Sequence, residues 1–259
     1  MGSLTVVGTG IQLGAQLTPE ARVAITEADE VLYVVTDALV ALWMERLNPR
    51  ARSLQDLYAE GVSRRRTYDA MADEIMAAVR RGRDVCAAFY GHPGVFVDPS
   101  HVAIRRARAE GYPARMLPAV SAEDCLFADL GVNPGAAGCQ SYEATDFLVR
   151  RRAVDPSAAL VLWQVGIVGR LDLAPEGDRS RLPVLVEYLL EFYPPEHEAL
   201  LYEAAPYPAC DPVIEDVRLA DVASAPVGRL ATMYVPPSER RRPDAAMLAR
   251  LGIPETHLR

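Results

Sequence analysis

The sequence predicts an α/β protein, with the strands of its first half parallel and covered by helices. Three observations lead to that class: short apolar runs alternate with helical patterns from the N-terminus onward, a glycine turn follows the run in VVGTGIQLGA, and another follows the run in VCAAFYGHPGVF. Strands separated by helix-length segments are the mark of parallel crossovers, because a parallel pair needs a connection of roughly a dozen residues or more.

In chain order, LTVVG (4–8), VLYVV (31–35), VCAAFY (85–90) and ARML (114–117) read as strands. TYDAMADEIMAAVRRG reads as the clearest helix, since Met71, Ile75, Met76 and Val79 recur at helical spacing, arginines fill the last turn and Gly82 supplies a stop. A second helix runs from about Pro99 to Glu110 and ends at Gly111. At Leu117-Pro118 the register changes, and SAEDCLFADLG opens a helix with Ser121 as N-cap. Strands follow in AALVLWQV (158–165), EALLYEA (198–204) and GRLATMYVPP (228–237). The expected organisation is an N-terminal α/β domain over 1–118, a C-terminal α/β domain over 119–239 and a tail over 240–259. The tail is polar and then weakly helical, with Met247 and Leu251 placed to pack on the body or on another subunit.

At 259 residues, half of them apolar, the chain is long enough for one large core or for two domains. A net charge of -8 argues against a long nucleic-acid groove or an anionic membrane surface. All 27 basic residues are arginines, which excludes Schiff-base and P-loop lysine chemistry. The four cysteines lack metal or redox spacing and read as buried thiols. No basic n-region, membrane-length apolar stretch or myristoylation pattern is present, since Val6 stands where Ser or Thr would be needed, so the expectation is a soluble cytoplasmic protein.

Three motifs bear on chemistry. Gly8, Gly10 and Gly14 follow the first strand with GxGxxxG spacing, so they serve either a tight turn or a ligand's approach to the backbone. YGHPGVFVDPSH (90–101) lies where open α/β sheets bind ligands, outside the carboxyl edge; His92 has no companion at metal-ligand spacing, and no metal is expected. In LYAEGVSRRRTYDAM, Tyr58 sits on a loop, and Tyr68 falls one helical turn after Arg64 if the helix has begun. Three arginines oppose the dipole at a helix start, so something other than helix stability placed Arg64, whereas Arg65 and Arg66 read as solvated.

VVGTG, YGHPGVFVDPSHVAI, LPAVSAEDCLFADL, the EATDFL run and LVLWQVG together resemble the S-adenosylmethionine-dependent methyltransferases of the tetrapyrrole methylase fold. More narrowly, YGHPGVF and the Tyr58, Arg64, Tyr68 arrangement resemble the borosin peptide backbone N-methyltransferases. That resemblance implies two α/β domains with the cofactor, S-adenosylmethionine, in the cleft between them and S-adenosylhomocysteine as product. It implies cofactor contacts from Tyr90, His92, Val95, Ser121, Ala122, Gln164, Ala231 and Thr232, and a catalytic set of Tyr58, Arg64, Tyr68 and Tyr90.

In the best-known fungal borosin enzymes the substrate peptide extends the methyltransferase chain through an added helical domain. This sequence ends at Arg259, so the expectation is a split system acting on a separate precursor peptide. The resemblance also implies a homodimer, or a heterotetramer with two precursor chains.

A peptide nitrogen is a poor nucleophile because its lone pair is committed to the carbonyl. Its methylation needs a base and stabilisation of the carbonyl oxygen. Tyr58 is expected as the base with its phenolate favoured by Arg64, Arg64 or Tyr68 as donor to the oxygen, and Tyr90 beside the sulfonium. The alternatives are a tetrapyrrole or other small-molecule acceptor, and an inactive cofactor-loaded peptide-binding module. A nicotinamide enzyme fits less well, because Asp37 is a late candidate for its ribose-binding acid.

Overall fold

The computed structural model describes residues 1–35, 37–59, 61–172 and 177–257. Its first half is β1 (Ser3–Gly8), α1 (Pro19–Glu27), β2 (Glu30–Val34), α2 (Ala38–Leu47), β3 (Ala51–Ser53), α3 (Arg64–Arg80), β4 (Asp84–Phe89), α4 (Asp98–Ala109) and β5 (Ala114–Met116). These strands form a parallel sheet in the order β3-β2-β4-β1-β5. Alternate residues of β1 and β4 serve opposite faces. Leu4, Val6, Val85 and Ala87 pack under α3 and α4, while Val7, Cys86 and Ala88 pack under α1 and α2. Both faces are dry, which is why these strands read as unbroken apolar runs.

The loops after β1 and β4 leave the sheet toward opposite faces, since α1 belongs to one core and α4 to the other. Neighbouring strands whose connections diverge leave a crevice at their carboxyl ends. Across it, Gly10 and Gly91 form an antiparallel bridge, with N–H groups donated both ways at 3.3 and 3.0 Å.

The second half comprises α5 (Ala122–Leu130), α6 (Pro134–Ala137), β6 (Cys139–Glu143), α7 (Ala144–Val149), β7 (Ala159–Trp163), α8 (Leu182–Leu189), β8 (Glu198–Glu203), β9 (Val213–Arg218), β10 (Thr232–Val235) and α9 (Ala245–Leu251). Its sheet runs β6-β7-β10-β8-β9, parallel only at β6-β7. One face packs Leu160, Leu162, Leu201 and Met233 against Phe147 of α7 and Leu185 of α8. The other face packs Val161, Trp163, Tyr202 and Tyr234 against Leu126 of α5. Helix α5 begins with Ser121 as its N-cap, as its sequence suggests, and the cap is reciprocal: Ser121 Oγ accepts the Asp124 N–H at 3.2 Å, and Asp124 Oδ2 accepts the Ser121 N–H at 2.7 Å.

Seven strands lie where the apolar runs place them, whereas β3, β6 and β9 carry no such run. Each is an edge strand of polar sequence, held by main-chain bonds and burying little of its own surface. The cysteines need a correction: all four are free, but only Cys86 is buried, and Cys210 is exposed on the loop after β8. Helix α9 buries none of its residues in this chain, and Leu258 and Arg259 of the tail lie outside the described residues. Among the described residues, no helix is long and apolar enough to cross a membrane.

Gly8 shows how tightly the crevice is built. A Cβ there would lie 2.1 Å from the Gly91 oxygen, 2.6 Å from the Ala119 Cβ and 2.7 Å from the Pro93 Cδ. Two of those atoms belong to the loop after β4, so Gly8→Ala is expected to lower stability by about 1–3 kcal/mol through overpacking. Urea unfolding measures this, and an unchanged midpoint would contradict it.

Candidate functional site

Two cavities open beside the crevice and share Phe96 and Gln164 in their walls. The smaller, about 450 Å³, lies between the two sheets. The loop after β4 contributes Tyr90, His92 and Val95 to it, the start of α5 contributes Ser121 and Ala122, and β10 contributes Thr232. The larger, about 940 Å³, runs between α3 and α4 and is lined by Arg64, Tyr68 and Arg105 among others.

Charge separates the two. The smaller cavity has Asp37, Glu123 and Glu203 in its wall and, among the described residues, no arginine, together with the aromatic rings of Tyr90, Phe96, Trp163 and Tyr202. Burial raises the Glu203 carboxyl above its ordinary range, with Arg229 opposing, and pushes the Tyr90 phenol up to about 12. Carboxylates and ring faces suit a cation with an apolar body. An anionic dinucleotide would face three carboxylates there, which counts against the nicotinamide reading. Trp163 and Glu123 are held by one chain of bonds: Trp163 Nε1 donates to Ser141 Oγ at 2.8 Å, and Ser141 Oγ donates to Glu123 Oε1 at 2.8 Å.

The loop after β4 is braced from within. His92 Nδ1 accepts the Gly94 N–H at 2.9 Å, and His101 Nε2 donates to the Gly94 carbonyl at 2.9 Å. The buried Ser100 hydroxyl reaches the carbonyls of Pro93 and Val97. No group of potential metal ligands occurs among the described residues.

Helix α3 begins at Arg64, so Arg64 and Tyr68 do share a helix face. Arg64 is anchored across to the second half of the chain: Nη1 donates to Gln164 Oε1 at 2.8 Å, Nη2 to the Arg170 carbonyl, and its backbone N–H to the Leu171 carbonyl at 2.8 Å. Gln164 meets it from the residue after β7 with φ 61°, and Phe96 has φ 55°. Left-handed backbone at a non-glycine residue costs about 1–3 kcal/mol and clusters where a ligand site fixes geometry. Of the three such residues described, Phe96 and Gln164 are the ones shared by the two cavities, while Arg151, φ 43°, lies after α7 and lines neither.

Of the site residues expected from sequence, Tyr90, His92, Val95, Ser121, Ala122, Gln164 and Thr232 line the smaller cavity, and Arg64, Tyr68 and Gln164 line the larger. Ala231 lines neither; it is buried, and its carbonyl accepts the Val165 N–H at 3.1 Å, while Leu230 faces the cavity. Tyr58 also lines neither, but its ring meets that of Tyr68 edge-on, with centroids 6.5 Å apart. Its phenol lies well above the ordinary tyrosine value, through burial first and Tyr68 next, while Arg64 and Arg229 pull it down without prevailing. Burial thus opposes the phenolate expected at Tyr58, and Arg64 favours it.

Gly8 and Gly10 line neither cavity; Gly8 packs closely against the loop after β4, and Gly10, at φ 71°, packs closely against Gln16. Phe96, Trp163 and Glu203 were not anticipated as site residues. The available signal was position, because each follows or ends an apolar strand run at a sheet's carboxyl edge.

Comparison with known proteins agrees with this geometry. The model of the tetrapyrrole (corrin/porphyrin) methylases matches residues 3–222. The methyltransferase/ribosomally synthesized cyclic peptide dendrothelin A precursor of Dendrothele bispora is 46% identical over 246 residues, covering 93% of this chain and 59% of that protein. The corresponding omphalotin A precursor protein of Omphalotus olearius is 44% identical over 257 residues, covering 97% of this chain and 62% of that protein. The chain thus spans about three fifths of the length of these relatives. Among solved structures, uroporphyrin-III-C-methyltransferase from Thermus thermophilus superposes with a TM-score of 0.65 at 21% identity, over 99% of both chains, which speaks to the fold alone. By its sequence match over most of its length and by its two-sheet architecture, the chain belongs to the tetrapyrrole (corrin/porphyrin) methylase family.

Proposed function

We propose that this chain is an S-adenosylmethionine-dependent methyltransferase acting on backbone amide nitrogens of a peptide supplied by a separate precursor chain. The observation that carries the reading is the junction of the two cavities. A pocket suited to a cation adjoins a groove of about 940 Å³ between two helices, and Arg64 is anchored at Gln164, where they meet. The similarity to proteins named as methyltransferases joined to cyclic peptide precursors supports the peptide as acceptor.

When bound, S-adenosylmethionine supplies an electrophilic methyl group. The smaller cavity fits it: Glu203 would offer acceptors to its ammonium or ribose hydroxyls, Asp37, whose Oδ1 caps α2, would add negative charge, and the rings of Tyr90 and Trp163 would offer faces to its charge and adenine. In the groove, Arg64 keeps donors beyond those given to Gln164 and Arg170, and these stabilise charge developing on the peptide carbonyl oxygen. Tyr68 stands between Tyr58 and the groove, so the amide proton leaves toward this tyrosine pair. With the proton taken by the tyrosine pair, the nitrogen would be free to accept the methyl, and S-adenosylhomocysteine would be the product. Holding nitrogen and methyl in line across the junction removes much of the entropic barrier.

We further propose that the enzyme works in the cytoplasm as a homodimer, or as a heterotetramer with two precursor chains. Its four unpaired cysteines support the compartment, and the exposed Leu39 and Leu42 of α2 and Met247 and Leu251 of α9 support association. Light scattering with and without precursor tests the assembly.

The function is tested by incubating the protein and cofactor with a synthetic peptide matching the precursor segment of the omphalotin A relative, in parallel with a tetrapyrrole carboxylate. Fragment masses should show one methyl per modified backbone nitrogen on the peptide. Methyl gain on the tetrapyrrole alone would move the assignment to that acceptor. Cofactor and peptide binding without any methyl gain would leave a peptide-binding module.

A further inference from the structure

The arginines of the groove are not used up by the protein itself. Arg106 of α4 is committed across the helix pair, at 2.5 Å to Asp73 and 3.7 Å to Asp69. Arg64 is committed to Gln164 and the Arg170 carbonyl. Arg65 of α3 and Arg105 of α4 also line the groove, both are exposed, and among the described residues neither makes an ion pair or a side-chain hydrogen bond.

Three carboxylates, Asp69, Asp98 and Glu143, share the wall with the four arginines, the last with its Oε1 buried and without a hydrogen-bond partner, but among the described residues none pairs with Arg65 or Arg105. Asp98 opens α4, where an acidic residue is favoured by the helix dipole, and Glu143 Oε2 accepts the Asp146 N–H at 2.7 Å as the cap of α7. His101 is spent on the Gly94 carbonyl. A cationic wall is also out of keeping with a chain whose net charge is -8, and Arg65 sits in a first helical turn where a cation is unfavourable. Ion pairing does not account for Arg65 and Arg105 facing one groove from two helices, and at Arg65 the helix dipole opposes the charge.

We propose that the groove recognises a carboxylate in the substrate peptide, flanking the methylated segment, through Arg65 and Arg105. This rests on the peptide reading above and narrows its substrate class to peptides carrying an acidic side chain, or a free C-terminus, beside the apolar core. The two arginines act in binding and not in methyl transfer.

Anisotropy of short fluorescent peptides, titrated with enzyme loaded with S-adenosylhomocysteine, tests this independently of turnover. The peptides share one apolar core and end in Asp-Asp or Asn-Asn, each with a free or amidated C-terminus. The Asp-Asp peptide is expected to bind about five- to tenfold more tightly than Asn-Asn, an advantage that shrinks with salt and disappears in the Arg65→Gln, Arg105→Gln double variant. A loss on amidation with no Asp-to-Asn effect would assign the carboxylate to the chain terminus. Equal affinity for all four peptides, or an acidic preference that survives the double variant, would overturn the proposal. If these peptides bind alike and are still methylated, the functional reading stands and only this inference fails. If none binds or is methylated, the peptide reading itself fails.

Discussion

Arg64→Lys is expected to lower kcat for peptide methylation by about 10²- to 10³-fold, the scale of losing a donor aimed at developing charge, with cofactor Kd nearly unchanged. The reason is geometric. Arg64 spans from α3 to the second half of the chain, dividing its guanidinium between Gln164 Oε1 and the Arg170 carbonyl, with further donors left for the groove. A planar fork does this without reorganising, whereas a lysine ammonium is a point charge that cannot hold two fixed acceptors and still present donors to a third. Arg64 does not line the smaller cavity, so cofactor affinity should be insensitive. Single-turnover mass spectrometry and cofactor titration check both halves. A lysine variant that keeps a tenth or more of the turnover would remove Arg64 from the chemistry.

Tyr58 governs the second large effect, which is a pH profile. Burial and the adjacent Tyr68 hold its phenol above the ordinary value of about 10, and the opposing pull of Arg64 and Arg229 does not reverse this. A base with a raised pKa is protonated at neutral pH, so its active form grows about tenfold per pH unit as pH rises. The expected result is log kcat climbing with a slope near one from about pH 7 to pH 9.5 without a plateau. Tyr58→Phe should be flat over that range and about 10²- to 10⁴-fold slower at its upper end. The Tyr90 phenol, at about 12, does not titrate inside this window. A wild-type kcat independent of pH, or a Tyr58→Phe enzyme retaining the slope, would assign the proton to another acceptor.

These expectations show where sequence reading reaches and where it stops. The apolar strands were legible because a strand buried on both faces admits only apolar side chains, as in VCAAF of β4. The edge strands CQSYE and VIEDVR were not, because an edge is held by main-chain bonds that any side chain permits. Ser121 was legible as a cap because its partner, Asp124, lies three residues away. Arg64 meeting Gln164 was not, since the two are 100 residues apart.

The sequence by itself determined the α/β class, the glycine turns at the carboxyl edge of the first sheet and the residue types of the site, because local periodicity, turn chemistry and caps act over a few residues. The tertiary structure decided which residues share a wall, that Ala231 points away while Leu230 faces the cavity, and that burial outweighs Arg64 at the Tyr58 phenol. Those outcomes depend on distance and desolvation between segments remote in the chain, and neither quantity exists until the two sheets have packed.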